Sequence, residues 1–220
     1  MTGAAKTAAA LSGIGGAGSL TVGGVYYSSK ETIGSIVKDK VLGTSSEFNE
    51  SWKDQHKKLL GHKGELSAEL KKLKEKHTNS DLEASREALK NWCKSSYEQT
   101  YKTSLSKANE SLLNEVKTYC IQSTKERLQS TLNGQANKKV LSEAGDKNDF
   151  VTNYKALKNH NPSSDGVLDT ELAAWKDKAD TQGDTKWADL QGWCNKHYNT
   201  PFKGETDLFK NLKKYCIKAS

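Results

Sequence analysis

Proline and apolar residues are both scarce in this sequence, and each shortage bears on the fold class. Only two prolines, Pro162 and Pro201, occur in 220 residues, so long helices can form without a residue that breaks them. Hydrophobic residues make up 34% of the chain, below the ~45–50% of an average globular protein. This argues against one large core and favours small helical units. Lys, Glu, Leu and Ala are abundant and are good helix formers, so the sequence predicts an all-α fold.

Motifs of the common enzyme classes are also absent. No H-E-x-x-H, G-x-S-x-G or Walker loop occurs, and no C-x-x-C supplies a local zinc site. Residues 13–18 match the G-x-G-x-x-G of dinucleotide-binding folds, but residues 7–12 are Ala-rich rather than strand-like and no second strand follows. We therefore expect no enzyme activity, no cofactor, no metal and no small-molecule substrate.

Charge is missing from one long stretch near the N-terminus. Residues 7–29 carry no charged side chain and lie between Lys6 and Lys30, a length close to the ~20 residues that cross a bilayer. The stretch predicts a membrane anchor within an N-terminal segment and linker of residues 1–43, with the remaining chain outside the cell membrane. A cleaved signal peptide and a disordered Gly/Ala tail are the alternatives, because small residues dominate the stretch.

The net charge of +7 permits binding to nucleic acid only where the basic residues cluster. Here lysines alternate with acids, as in residues 65–76, which is typical of a solvated helix face with i,i+4 ion pairs. We expect no nucleic-acid partner. An intracellular basic helical protein that binds nucleic acid or a protein partner remains the alternative.

Comparison of the chain with itself reveals four matching blocks in the same order. At an offset of 102 the pairs are Phe48 with Phe150, Trp52 with Tyr154, Leu66 with Leu168 and Leu70 with Leu172. At an offset of 101, Trp92-Cys93 meets Trp193-Cys194, and at 96, Tyr119-Cys120 meets Tyr215-Cys216. Four ordered blocks predict two tandem copies of one helical module rather than a short-repeat solenoid. The expected units are module 1 (44–133), a connector (134–145) and module 2 (146–220).

Each module is predicted to contain four helices. In module 1 they lie near residues 45–60, 66–76 and 81–102, followed by a helix whose apolar face runs from Leu105 through Leu112 to Tyr119. In module 2, Pro201 separates a helix ending near Tyr198 from a shorter one near residues 206–217.

The four cysteines fall into one pair in each module. Cys93 and Cys120, and likewise Cys194 and Cys216, occupy positions compatible with neighbouring antiparallel helices. The even count and a leading membrane segment favour two intramodule disulfides. Four buried thiols in a reducing cytosol are the alternative. His197 lies three residues beyond Cys194 but Ser96 stands at that position in module 1, so we predict a surface histidine rather than a Cys/His nucleophile pair.

The large aromatic side chains occur at helical spacing among leucines and tyrosines, which predicts that they anchor the core rather than stack on a ligand. They are Trp52, Trp92, Tyr119, Tyr154, Trp175, Trp193 and Tyr215.

The uncharged start that ends in Gly23-Gly24-Val25-Tyr26-Tyr27, together with the paired Trp-Cys and Tyr-Cys elements, resembles the paralogous uncharacterised proteins of haemotropic mycoplasmas. The resemblance spans nearly the whole chain. It implies a wall-less bacterium and modules displayed at the cell surface as an interaction or antigenic scaffold, with a host or surface protein as partner.

Overall fold

A computed structural model describes residues 30–78 and 81–218 of the chain. These residues form mostly α-helix, together with three short 3-10 turns and one two-stranded sheet, so the prediction of a helical fold is confirmed. The predicted membrane segment, residues 7–29, lies outside the described residues. Within the described ranges, no helix combines the length and apolarity needed to cross a membrane.

We call residues 30–133 the first half and residues 134–218 the second half. The helices of the first half are α1 (Ile33–Val37), α2 (Asn49–Gly61), α3 (Ala68–Lys76), α4 (Leu82–Tyr97), α5 (Glu110–Tyr119) and α6 (Thr124–Thr131). Its strands, β1 (Glu31–Thr32) and β2 (Thr100–Lys102), pair antiparallel. The helices of the second half are α7 (Lys147–Ala156), α8 (Pro162–Asp165), α9 (Thr170–Lys176), α10 (Ala179–Tyr198) and α11 (Asp207–Tyr215).

Polar side chains fix where many of these helices begin. The Asp81 side chain accepts from Ala84 N–H at the start of α4, and the Thr206 hydroxyl accepts from Phe209 N–H at the start of α11. Ser123 and Glu126 form a reciprocal capping box at α6. Such caps satisfy N–H groups that the first turn of a helix leaves without an intrahelical partner.

In each half, one long helix that bears a cysteine packs against the first long helix. These pairs are α4 with α2 and α10 with α7. Buried leucines join one continuous apolar core here: Leu59, Leu89 and Leu190 lie on these helices, and Leu157 lies in the 3-10 turn directly after α7. The core therefore runs through both halves of the described chain.

Two segments predicted as linkers are folded into this core. Ile33, Val37 and Leu42 belong to the predicted N-terminal linker, yet they are almost fully buried. Leu141, within the predicted connector 134–145, is also fully buried. These residues of the predicted linkers therefore contribute to the core. The sequence did not indicate this, because isolated apolar side chains in short polar segments carry too little periodicity to indicate burial.

The first long helices of the two halves correspond at an offset that differs from the prediction. Helix α2 begins at Asn49 and α7 at Lys147, each directly after a 3-10 turn. His62 N–H donates to Leu59 O at the end of the first (3.1 Å), and His160 N–H donates to Leu157 O in the second (3.0 Å). These pairs lie 98 residues apart, four fewer than the offset of 102 at which the sequence pairs Phe48 with Phe150 and Trp52 with Tyr154.

A slip of four residues is close to one helical turn and leaves an apolar face on the same side, which is why the sequence did not reveal it. The four residues of α8 (Pro162–Asp165) follow His160 and restore the offset of 102 at the next helices, α3 and α9, whose caps are Ser67 and Asp169.

The segment after α4 departs from the predicted long helices. Helix α4 ends at Tyr97, strand β2 follows, and α5 begins only at Glu110. Leu105, predicted on the apolar face of a helix, lies in the intervening loop and is 84% exposed. Ser, Thr and Asn residues crowd this loop, and they compete with helical hydrogen bonding through their own side chains.

The two halves are joined by an antiparallel bridge and one aromatic side chain. Thr124 N–H donates to Thr200 O and Phe202 N–H donates to Gln122 O, both at 2.8 Å. Pro201 stands between the two bonding residues of its strand, where its lack of an N–H costs no hydrogen bond. The Phe202 ring meets Phe48 of the first half at 5.7 Å and Phe209 of the second at 4.7 Å between centroids.

We predict that Phe202→Ala lowers the free energy of unfolding by about 3–5 kcal/mol, because it removes a buried ring and leaves a cavity between the halves. Urea unfolding at neutral pH measures the change. Leu105→Ala is the control, and its exposed side chain should change stability by no more than about 0.5 kcal/mol. A Phe202→Ala effect as small as that of the control would contradict this account of the contact.

Candidate functional site

Both predicted disulfides are present. Cys93 lies within α4 and bonds to Cys120, the residue that follows α5, while Cys194 lies within α10 and bonds to Cys216, the residue that follows α11. The Cα atoms are 5.8 Å apart in each bond, within the usual range for a disulfide. All four cysteines are fully buried and none is free, so no thiol nucleophile remains in the chain.

In each half, the carbonyl of the second disulfide cysteine accepts a hydrogen bond from the N–H of a leucine that precedes the first long helix. Leu42 N–H donates to Cys120 O at 3.0 Å, and Leu141 N–H donates to Cys216 O at 2.9 Å. In the second half the buried Tyr198 hydroxyl also donates to Leu141 O and to Cys216 O. Burial raises the pKa of this hydroxyl well above its usual range, so it stays a hydrogen-bond donor.

A buried amide side chain reaches the same region in each half, and no pattern in the sequence indicated it. The Gln55 side chain donates to Ile121 O at 2.7 Å. The Asn153 side chain donates to Ile217 O at 2.8 Å and to Tyr215 O at 3.0 Å. Each amide thus satisfies the carbonyl of the residue after the second cysteine, a group that would be costly to bury without a partner.

Five of the seven predicted core aromatics are buried almost completely, and two are partly buried. The buried ones are Trp52, Tyr119, Tyr154, Trp193 and Tyr215. Trp175 is partly buried and stacks on Tyr154, with ring centroids 5.7 Å apart. Trp92 is the other partly buried ring. The disulfides and most of the aromatics are thus brought together in one core.

Each half contains a histidine and a tyrosine in corresponding positions, but only the second half pairs them directly. His160 Nδ1 lies 2.7 Å from the Tyr215 hydroxyl, and His160 Nε2 lies 2.7 Å from Gly166 O. Because a carbonyl can only accept, Nε2 carries the proton and the tyrosine donates to Nδ1.

In the first half, the rings of His62 and Tyr119 stand with centroids 6.1 Å apart. Neither His62 Nε2 nor the Tyr119 hydroxyl, both buried, has a hydrogen-bond partner among the described residues.

Of two other histidines, His197 differs from its prediction and His56 was not singled out from the sequence. His197, predicted at the surface, is partly buried with its ring 4.9 Å from that of Trp193; the prediction fails because the turn of α10 that carries Cys194 faces the core. Burial lowers the pKa of His197. His56 is fully buried on α2, and burial, followed by the nearby His77, lowers its pKa. For both rings, burial therefore favours the neutral form.

A polar groove of about 290 Å³ lies between α2 and α6. The ion pairs Arg127 with Asp54 (3.2 Å) and Lys58 with Glu126 (2.7 Å) neutralise the charges along it. Among the residues that the structure describes, no group of three or more His, Cys, Asp or Glu side chains could hold a metal ion.

Comparison with known proteins gives no relative for this chain: no family model, no curated protein and no solved structure matches it.

We predict that each disulfide contributes nearly equally to stability. The cysteines are 27 and 22 residues apart in sequence, so the chain-entropy model gives about 3.5 kcal/mol for either bond. The double variants Cys93→Ala/Cys120→Ala and Cys194→Ala/Cys216→Ala, compared by urea unfolding, test this. A loss below about 1 kcal/mol in either variant would show that the bond does not hold its half together.

Replacing tyrosine by phenylalanine should affect stability differently in the two histidine and tyrosine pairs. Tyr215→Phe leaves His160 Nδ1 buried without its donor and should cost about 1–3 kcal/mol. Tyr119→Phe removes a hydroxyl that has no described partner and should change stability by at most about 0.5 kcal/mol. Thermal or urea unfolding of the two variants side by side decides the matter, and equal losses would contradict the assigned hydrogen bonds.

Proposed function

We propose that the chain is a non-catalytic helical recognition scaffold, displayed outside the cell and held at the membrane by residues 7–29. The observation that carries the proposal is the pair of buried disulfides, one in each half. Such bonds form and persist in oxidising surroundings and are rare in a reducing cytosol. The uncharged segment between Lys6 and Lys30 supplies a route to the outside.

The two halves, in this proposal, are copies of one module. The disulfide joins α4 to the residue after α5 in the first half, and α10 to the residue after α11 in the second half. A leucine N–H donates to the carbonyl of that second cysteine, and a buried amide donates to the carbonyl one residue further on. A shared ancestral module accounts for this agreement more simply than two independent origins.

A scaffold role also fits the use of the reactive side chains. All four cysteines are in disulfides, and His160 uses both ring nitrogens in structural hydrogen bonds. The resemblance to the paralogous uncharacterised proteins of haemotropic mycoplasmas implies surface display, which agrees with an outward-facing scaffold that contacts a host or surface partner.

Labelling of lysines on intact cells that produce the protein tests the topology. A membrane-impermeant amine-reactive biotin should modify Lys30 and exposed lysines of both halves, since these lie outside. Lys6 should be modified only after the cells are permeabilised. Mass spectrometry of the non-reduced protein, alkylated before lysis, should find Cys93 with Cys120 and Cys194 with Cys216.

A cytosolic protein labelled only after permeabilisation is the control. Absence of label on both halves in intact cells, or free thiols at the four cysteines, would refute the proposal and favour the intracellular alternative. Loss of every peptide that contains Lys6 would show a cleaved signal peptide instead of a retained anchor.

A further inference from the structure

Trp92 and Trp193 each precede a disulfide cysteine, but they differ in burial and in the hydrogen bonding of the indole N–H. Trp193 is 1% exposed, and its indole N–H donates to the Asp169 carboxylate at 3.1 Å. Asp169 caps α9, and Ser67 stands at the corresponding cap of α3. The shorter serine side chain caps Leu70 N–H instead. Trp92 remains partly exposed, and its indole N–H has no partner among the described residues.

Trp92 lines a cleft of about 240 Å³ between α3, α4 and α5. The other lining residues are Glu69, Ser95, Ser96, Gln99 and Leu112. One wall thus offers the indole and Leu112, and the remaining lining is polar. A concave site that combines an apolar surface with a few convergent polar groups is the usual form of a ligand site.

Several polar groups of this cleft are uncommitted within residues 30–78 and 81–218. The Glu69 carboxylate and the Gln99 amide make no side-chain hydrogen bond or ion pair there, in contrast to Glu171 on α9, which pairs with Lys196. Ser96 is only 4% exposed, yet its hydroxyl has no described partner either. The Ser96 oxygen is not one of the buried side-chain atoms that lack a partner, so it is accessible from the cleft, where a bound ligand can reach it.

We propose that this cleft binds a neutral pyranose saccharide. The apolar C–H face of a sugar ring packs against an indole face, and its hydroxyl groups both donate and accept. Trp92 N–H and Gln99 supply donors, while Glu69 and Gln99 supply acceptors. The Glu69 carboxylate disfavours acidic sugars by charge repulsion. The inference rests on the proposed function only in that outward display brings glycans within reach.

Saturation-transfer NMR on the purified full chain tests the proposal, in a zwitterionic detergent that carries no sugar head group. Methyl glucoside, methyl galactoside and N-acetylglucosamine are the probes, and we expect saturable binding of at least one. Open-chain sorbitol, which lacks an apolar ring face, and anionic N-acetylneuraminic acid should not bind. Trp92→Ala should weaken binding about tenfold or more.

Because Trp92 also contacts the core, Trp92→Ala is checked for both disulfides and for helical circular dichroism. The double variant Glu69→Gln/Gln99→Ala changes exposed side chains only and should weaken binding about three- to tenfold. Trp187→Phe, in the second half, should bind as the wild type does. Absence of saturable binding by every pyranoside, equal signals from sorbitol, or unchanged binding in the double variant would overturn the proposal. None of these outcomes depends on where the protein resides.

Discussion

The carbonyl oxygen of the second cysteine in each disulfide is the point on which the surrounding structure depends. The disulfide holds Cys120 against α4 and Cys216 against α10, and their carbonyls receive the N–H groups of Leu42 and Leu141. These bonds bring the segment before the first long helix of each half alongside α5 or α11. That segment, the cysteine-bearing helix and α5 or α11 therefore depend on one another for their positions.

A chain with few apolar residues gains stability from disulfides and buried hydrogen bonds of this kind. Small helical units bury limited area, and the conformational entropy lost on folding is of similar size to the gain from burial. The disulfides lessen that entropy by restricting the unfolded chain. Buried amides such as Gln55 and Asn153 then satisfy carbonyls near each bond, so that the chain turns at the helix ends are specified as well as stabilised.

The cysteine pairing and most helices could be predicted from the sequence because their signals are local. The spacing of the cysteines and the 3.6-residue period of leucines and aromatics can both be recognised without knowledge of tertiary contacts. The register of the first helix pair could not be predicted, because a shift of one turn preserves the apolar face. Burial of Ile33 and Leu141, and the contact of Phe202 between the halves, depend on distant partners that no local pattern contains.

The halves differ most where their polar groups find or lack partners. In the second half Tyr215 donates to His160, and Asp169 both caps a helix and accepts a hydrogen bond from the Trp193 indole N–H. In the first half the corresponding His62 Nε2 and Tyr119 hydroxyl have no such partners among the described residues. Because satisfied groups add to stability and unsatisfied ones lower it, the second half gains stabilising contacts at these positions that the first half lacks.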